Sequence, residues 1–314
     1  MLDLAIIGGG PAGLTAGLYA ARGGVKNVVL FEPAMPGGQI TQSSEIENYP
    51  GKLEVISGME FMQSWLPQAQ KFGLKHESDE IARVAKSDQG IFILTTSGGK
   101  TIEAKAVIFA TGSVPKKIGF EGEDEFFGRG VSVCATCDGF FYRGKEVAII
   151  GGGDAALEEA IYLAKTCKKV YIIHRREGFR AAPSTVERAK AEQNIEFVLN
   201  AKPIKILGDS QNGVTGVKVA IDSKGEIDIN VPGVFVFVGR SVKNEPLKDQ
   251  KGGFICATND KGEVIVDLKM RTNLEGFFVA GDVRADSPKQ VVCAASDGAI
   301  SALSAIEYLE RKRG

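Results

Sequence analysis

Two glycine-rich turns, each set between a short apolar run and a helix-like segment, predict an α/β fold of two Rossmann-like domains. The first is Gly8-Gly9-Gly10-Pro11-Ala12-Gly13 and the second is Gly151-Gly152-Gly153-Asp154-Ala155-Ala156. A third observation sets the connectivity. The segments after each turn share one plan, a fingerprint unit followed by alternating strands and a closing strand. The final Gly281-Asp282 strand end returns to the style of the first half. The expectation is therefore three-layer domains, each with a parallel sheet and an antiparallel β-meander, the second inserted in the first.

The elements follow in order. Residues 4–7 form a continuous apolar run, the pattern of a strand buried on both faces. A helix is expected over 11–22 and a second strand over 28–31, ending at Glu32. That acid stands 24 positions after Gly8, close to the spacing at which a carboxylate grips a ribose hydroxyl pair. Glycines there let the backbone approach a pyrophosphate at the positive end of the helix. Residues 36–51 read on pattern alone as a turn-rich linker. A helix is expected over 57–72, a meander over 81–107 around Gly98-Gly99, and a buried strand over 106–110 leading to Thr111-Gly112. The first domain crossing falls near 113–119.

The inserted part carries the dithiol Cys134-Ala135-Thr136-Cys137, with Asp138 beside its second thiol. A strand follows over 146–150, then the second fingerprint and a helix over 154–164. The next strand, 170–173, ends in His174-Arg175-Arg176, with Arg180 four residues on. Guanidinium groups suit bidentate phosphate recognition, so a basic strand end in place of an acid points to a 2′-phosphate and to NADP(H). A second meander is expected over 196–238, a crossing back near 242–251, a buried strand at 277–282 and a helix over 290–311.

Composition narrows the function. The chain has 314 residues, 44% hydrophobic and 25% charged, with formal charge −1. That is an ordinary globular balance without the basic footprint that nucleic-acid binding wants. No signal-peptide pattern opens the chain and no apolar run is expected to reach the length of about 20 residues that a membrane span needs. Cytoplasmic localisation is the expectation. Five cysteines do not suit a secreted disulfide scaffold. Cys134 and Cys137 could be half of a zinc site, but tetrahedral zinc needs four ligands. The other cysteines, Cys167, Cys256 and Cys293, stand alone beside two histidines. No metal site is expected. Two unrelated buried cysteines are the other plain alternative. Redox chemistry is favoured, because a Cys-x-x-Cys motif lowers a thiol pKa and yields a nucleophilic thiolate.

Over essentially its full length the chain resembles the bacterial low-molecular-weight thioredoxin reductases. The resemblance is carried by residues 8–13, 37–39, 45–51, 134–142, 151–160, 174–180 and 281–282, the block from Cys134 through Ala160 being the most specific. It implies FAD in a discontinuous domain of residues 1–114 and 245–314, NADPH in a domain of residues 117–242, a homodimer, and thioredoxin as the protein substrate. For FAD the matching positions are Gly8, Gly10, Pro11, Ala12, Gly13, Glu32, Gly38, Gln39, Asn48, Thr111, Gly112, Gly281, Asp282, Lys289, Gln290 and Val291. Residues 36–51 thus become a cofactor loop rather than a linker. For NADPH they are Gly151, Gly153, Asp154, Ala155, Ala156, His174, Arg175, Arg176 and Arg180. The pattern further implies that Cys137 faces the flavin, that Cys134 attacks the substrate disulfide, that Asp138 exchanges protons, and that the inserted domain rotates between two poses.

Three positions depart from the pattern. Ala155 replaces a usual Ser or Thr, Lys289 a usual Arg, and residues 239–244 lack a usual proline. Rival readings are a ferredoxin–NADP reductase, which lacks the dithiol, a peroxiredoxin-reducing flavoprotein, which carries an additional N-terminal region, and a non-catalytic redox sensor.

Overall fold

A computed structural model describes residues 1–43, 46, 48–209, 211, 213–222, 224–249 and 251–312. The chain folds into two compact units, Met1–Val114 with Val242–Gly314, and Pro115–Ser241.

The first unit opens with β1 (Leu2–Ile7), whose Leu4, Ala5 and Ile6 are fully buried. Helix α1 (Pro11–Arg22) begins with a proline, whose missing N–H is an orphan at that position anyway. Strand β2 (Val28–Phe31) then lies parallel to β1, with Phe31 opposite Ile7. The helix expected over 57–72 is two helices, α2 (Gly58–Met62) and α3 (Trp65–Gln70). Pro67 explains the break: it has no N–H for the carbonyl of Gln63, and its ring crowds that carbonyl. After β3 (Lys75–Glu77), β4 (Ile81–Lys86) and β5 (Phe92–Thr96) comes β6 (Thr101–Phe109). Strand β6 corrects the sequence reading, which divided it between a meander and a separate strand. Its first part, Thr101 to Ala104, pairs antiparallel with β5, and from Ala104 to Phe109 it pairs parallel with β1. Strand β7 (Ser113–Pro115) leads out.

The second unit contains β8 (Val131–Ser132), α4 (Ala135–Asp138), β9 (Glu146–Gly151), α5 (Asp154–Ala164), β10 (Lys169–Ile173), α6 (Pro183–Ala191) and β11 (Ile195–Val198). A separate antiparallel sheet of β12 (Ala201–Asp209), β13 (Gly213–Ile221) and β14 (Gly225–Ile229) follows, then β15 (Gly233–Phe237) and β16 (Arg240–Val242). The main sheet has order β11-β10-β9-β15-β8, with its pairings parallel. The meander is therefore shorter than expected. Residues 196–198 and 233–237, both placed in it by sequence, belong to the parallel strands β11 and β15 instead. Gly-Val-Phe-Val-Phe is apolar throughout, the mark of a strand covered on both faces. One face meets the meander through Ile150, Val217 and Val236. The other meets α5 and α6 through Ile149, Leu157 and Ala189.

The chain then returns to the first unit with β17 (Phe277–Val279), parallel to the second half of β6, and α7 (Val291–Arg311). Helix α7 lies against α1 closely enough that a β-carbon on Gly298 would sit 2.2 Å from the Ala12 carbonyl oxygen. Among the described residues it alone is long and apolar enough to cross a membrane, against the expectation of no such run. Half of that stretch is buried inside the unit, as in a core helix.

Candidate active site

Cys134 and Cys137 are joined in a disulfide with Cα atoms 5.3 Å apart, within the usual range. The ring is fixed from below. Ala135, inside it, is fully buried in the core shared by α4, α5 and β9, while Thr136 is exposed. The two cysteines and Asp138 are half-buried. Ser132, which sequence reasoning missed, holds the first cysteine: the Cys134 N–H donates to its hydroxyl oxygen at 3.1 Å. The Asp138 N–H donates to the Cys134 carbonyl at 3.1 Å, closing the turn of α4. Gly139 lets that turn rest on α5, since a β-carbon there would come 2.7 Å from Leu163. The arrangement is a short helical turn with a half-exposed disulfide and an acid beside it.

Cys167 and Cys256 are unsuited to exchange. Burial pushes the Cys256 thiol up to about 11 and raises that of Cys167. Neither forms a thiolate near neutral pH.

In the first unit the fingerprint, Glu32 and residues 36–42 come together. Gly8 has φ +106° and a β-carbon there would lie 2.4 Å from the Ala110 oxygen, so only glycine fits. The Glu32 carboxylate accepts the Gly9 N–H at 2.8 Å and the Ala34 N–H at 3.2 Å. Residues 36–42 fold back onto the fingerprint: the Gly37 N–H donates to the Gly9 oxygen at 2.8 Å, and Gly38 backs directly against Gly10. Asn48 donates to the Gln290 side-chain oxygen at 3.5 Å. Thr111 donates to the Lys243 carbonyl at 2.6 Å. Ser287 donates to Asp282 at 3.3 Å, and Lys289 pairs with Glu263 at 3.7 Å. Glu45 and Glu47, within the stretch 45–51 of the resemblance, lie outside the described residues. These residues fit FAD. Gly10, at the N-cap of α1, is open enough that an added β-carbon would meet only the Gly38 Cα at 3.8 Å, leaving a helix N-terminus clear for a pyrophosphate.

In the second unit Gly153 caps α5 with nothing near the position of a β-carbon, so the same test is met for a second dinucleotide. The loop after β10 is tied to this fingerprint. The Arg180 N–H donates to the Gly152 oxygen at 2.9 Å and the Ala182 N–H to the Asp154 carboxylate at 2.8 Å. Arg175, Arg176 and Arg180 are exposed. His174 is not: its ring is buried against Gly152 and stacks on Phe179 at 5.2 Å. Burial, opposed by a bond to the Gly178 carbonyl and aided by the three arginines, lowers its pKa. His174 stays neutral at pH 7.

A disulfide beside a dinucleotide fingerprint, with a second fingerprint in the companion unit, defines a flavin- and nicotinamide-dependent disulfide oxidoreductase. Residues 2–298 match the family described as pyridine nucleotide-disulphide oxidoreductase, and the chain belongs to that family. Its relatives narrow the family further. A thioredoxin reductase of Helicobacter pylori is 58% identical over 311 residues, 99% of each chain. One of Listeria monocytogenes is 40% identical over 98% of this chain and 94% of that protein. The crystal structure of thioredoxin reductase from Streptococcus pyogenes aligns with TM-score 0.92 at 37% identity over 99% of both chains. The chain falls among the thioredoxin reductases, whose family cofactors are FAD and NADPH.

Proposed function

We propose that this chain reduces the disulfide of thioredoxin with electrons from NADPH, and that Cys134 and Cys137 are the pair that changes oxidation state. The observation that carries the reading is the half-exposed Cys134–Cys137 disulfide on the turn that carries Asp138, in the unit that bears the second fingerprint. The first unit holds FAD through Gly8, Gly10, Gly13, Glu32, Gly38, Gln39, Asn48, Thr111, Gly112, Asp282 and Gln290. The second holds NADPH through Gly153, Asp154, Ala156 and the arginines after β10. FAD, when bound, supplies the hydride acceptance and two-electron delivery that no side chain performs.

The chain's own residues carry the electrons onward. With the disulfide reduced, the Cys134 thiolate attacks one sulfur of the thioredoxin disulfide, forming a mixed disulfide and expelling one thioredoxin thiolate. The Cys137 thiolate then attacks Cys134 Sγ, restoring the Cys134–Cys137 bond and releasing the second thioredoxin thiolate. Two electrons pass to thioredoxin, and its two thiolates each take a proton. Asp138 moves a proton at the Cys137 sulfur. Arg175 and Arg176 bind the 2′-phosphate of NADPH, with Arg180 beside them. We further assign the protein to the cytoplasm as a homodimer.

The test is NADPH oxidation by purified protein with oxidised thioredoxin. Turnover that needs both reactants supports the reading. NADPH consumption that leaves thioredoxin oxidised contradicts it, and would favour a redox sensor or a reductase for another acceptor.

A further inference from the structure

Arg284 and Asp297 form a largely buried ion pair in the first unit, outside every motif read from the sequence. The geometry is a fork: Arg284 Nε donates to Asp297 Oδ2 at 2.6 Å and Nη2 to Oδ1 at 3.2 Å. The same Oδ2 accepts the Gly281 N–H at 3.1 Å. Arg284 also returns to its own turn, with its N–H on the Gly281 carbonyl at 3.1 Å and Nη1 on the Ala285 carbonyl at 3.0 Å. One carboxylate on α7 therefore holds both ends of the turn 281–284. The start of α1 meets the same place. A β-carbon on Gly281, at φ +77°, would lie 3.0 Å from the Ala12 Cβ, and Gly298, next to Asp297, rests on the Ala12 carbonyl.

A buried ion pair of this kind adds little net stability over apolar side chains of similar volume, because desolvation offsets the attraction. What it adds is direction, since a planar fork on a carboxylate has one geometry. A turn fixed before its ligand arrives spares the ordering cost on binding.

We infer that Arg284 and Asp297 are positioning residues for FAD: the pair preforms the Gly281-Asp282 turn against the fingerprint helix and so sets how tightly the first unit holds the cofactor. This rests on the reading of Gly281 and Asp282 as FAD contacts.

The experiment titrates FAD into folded apoprotein, following quenching of flavin fluorescence, for wild type, D297N and R284K. Asp297→Asn keeps an acceptor for the Gly281 N–H, and Arg284→Lys keeps the charge but not the fork. Each is expected to raise the FAD Kd about ten- to a hundredfold, the loss of one charge-assisted contact, and to alter the visible circular dichroism of bound flavin. A merely structural pair would lower the melting temperature of the apoprotein and leave the Kd at the wild-type value, which would overturn the inference. Hydrogen exchange on wild-type protein supplies a check that needs no variant. The amides of Gly281 and Arg284, which donate to Asp297 and to the Gly281 carbonyl, should be protected in the apoprotein already; protection of these two gained only with FAD would equally overturn the inference. Wild-type apoprotein that takes up no FAD would instead refute the site assignment beneath it.

Discussion

The imidazole of His174 lies so close to Gly152 that a β-carbon on that glycine would fall 2.2 Å from its Cε1 and Nδ1 atoms. The strand end that carries the basic residues is thus seated directly on the second fingerprint. Gly152→Ala forces the ring out of its place, and overpacking of this type costs about 1–3 kcal/mol. The variant is expected to lower the melting temperature and raise the KM for NADPH, while FAD content per chain stays at the wild-type level. An unchanged KM would show that the His174 seat does not shape the nicotinamide nucleotide site.

The exposed arginines make a separate prediction. Losing one charge-assisted phosphate contact costs on the order of 1.5–3 kcal/mol. Neutral replacements of Arg175 and Arg176 should raise the KM for NADPH far more than that for NADH. Equal effects on both would mean that they do not read the 2′-phosphate.

Cys256 gives the alkaline limit. Its thiol titrates near 9.0 when free of burial and at about 11 in the fold, so the unfolded chain loses its proton first. The stability this contributes is complete below pH 9 and is lost as pH rises through 11, on the order of 3 kcal/mol in all. Cys256→Ala should fall less steeply than wild type in urea denaturation across that window. Identical slopes would refute the assignment.

His174 and Gly152 also show what the sequence disclosed. The basic strand end was legible because three arginines follow an apolar run, but the burial of His174 was not: its neighbour Gly152 stands 22 positions away, and no local pattern says which side chain fills the space beside a glycine. The two fingerprints, Glu32 and the dithiol were legible because each needs a fixed local spacing. Strand β6 was not, because it serves two sheet partners of opposite sense and so carries both an alternating and a continuous apolar pattern. Residues 196–198 and 233–237 were absorbed into a meander because both adjoin it in the chain with no helix between, and an apolar run does not say in which sense its partner runs; helix α6 was missed because its polar face outweighs the few residues it buries. Arg284 and Asp297 act through contacts that close only in three dimensions, whereas Ser132 reaches Cys134 two positions on, a local turn contact that no motif singled out.

Asp138 sits one residue beyond the disulfide, on the same turn of α4. If it moves the proton at Cys137, Asp138→Asn should keep both the FAD content and the disulfide yet slow thioredoxin reduction by about 10²–10⁴-fold. A variant with wild-type turnover would assign that proton transfer to another group.

The central claim is that electrons leave the protein through Cys134 and Cys137. It is tested most directly by stopped-flow absorbance of Cys137→Ser under anaerobic conditions, with NADPH alone and with NADPH plus oxidised thioredoxin. The expected result is loss of the flavin band on addition of NADPH, as in wild type, since that step needs no thiol, together with thioredoxin reduction at background. Thioredoxin reduction at the wild-type rate would contradict the account.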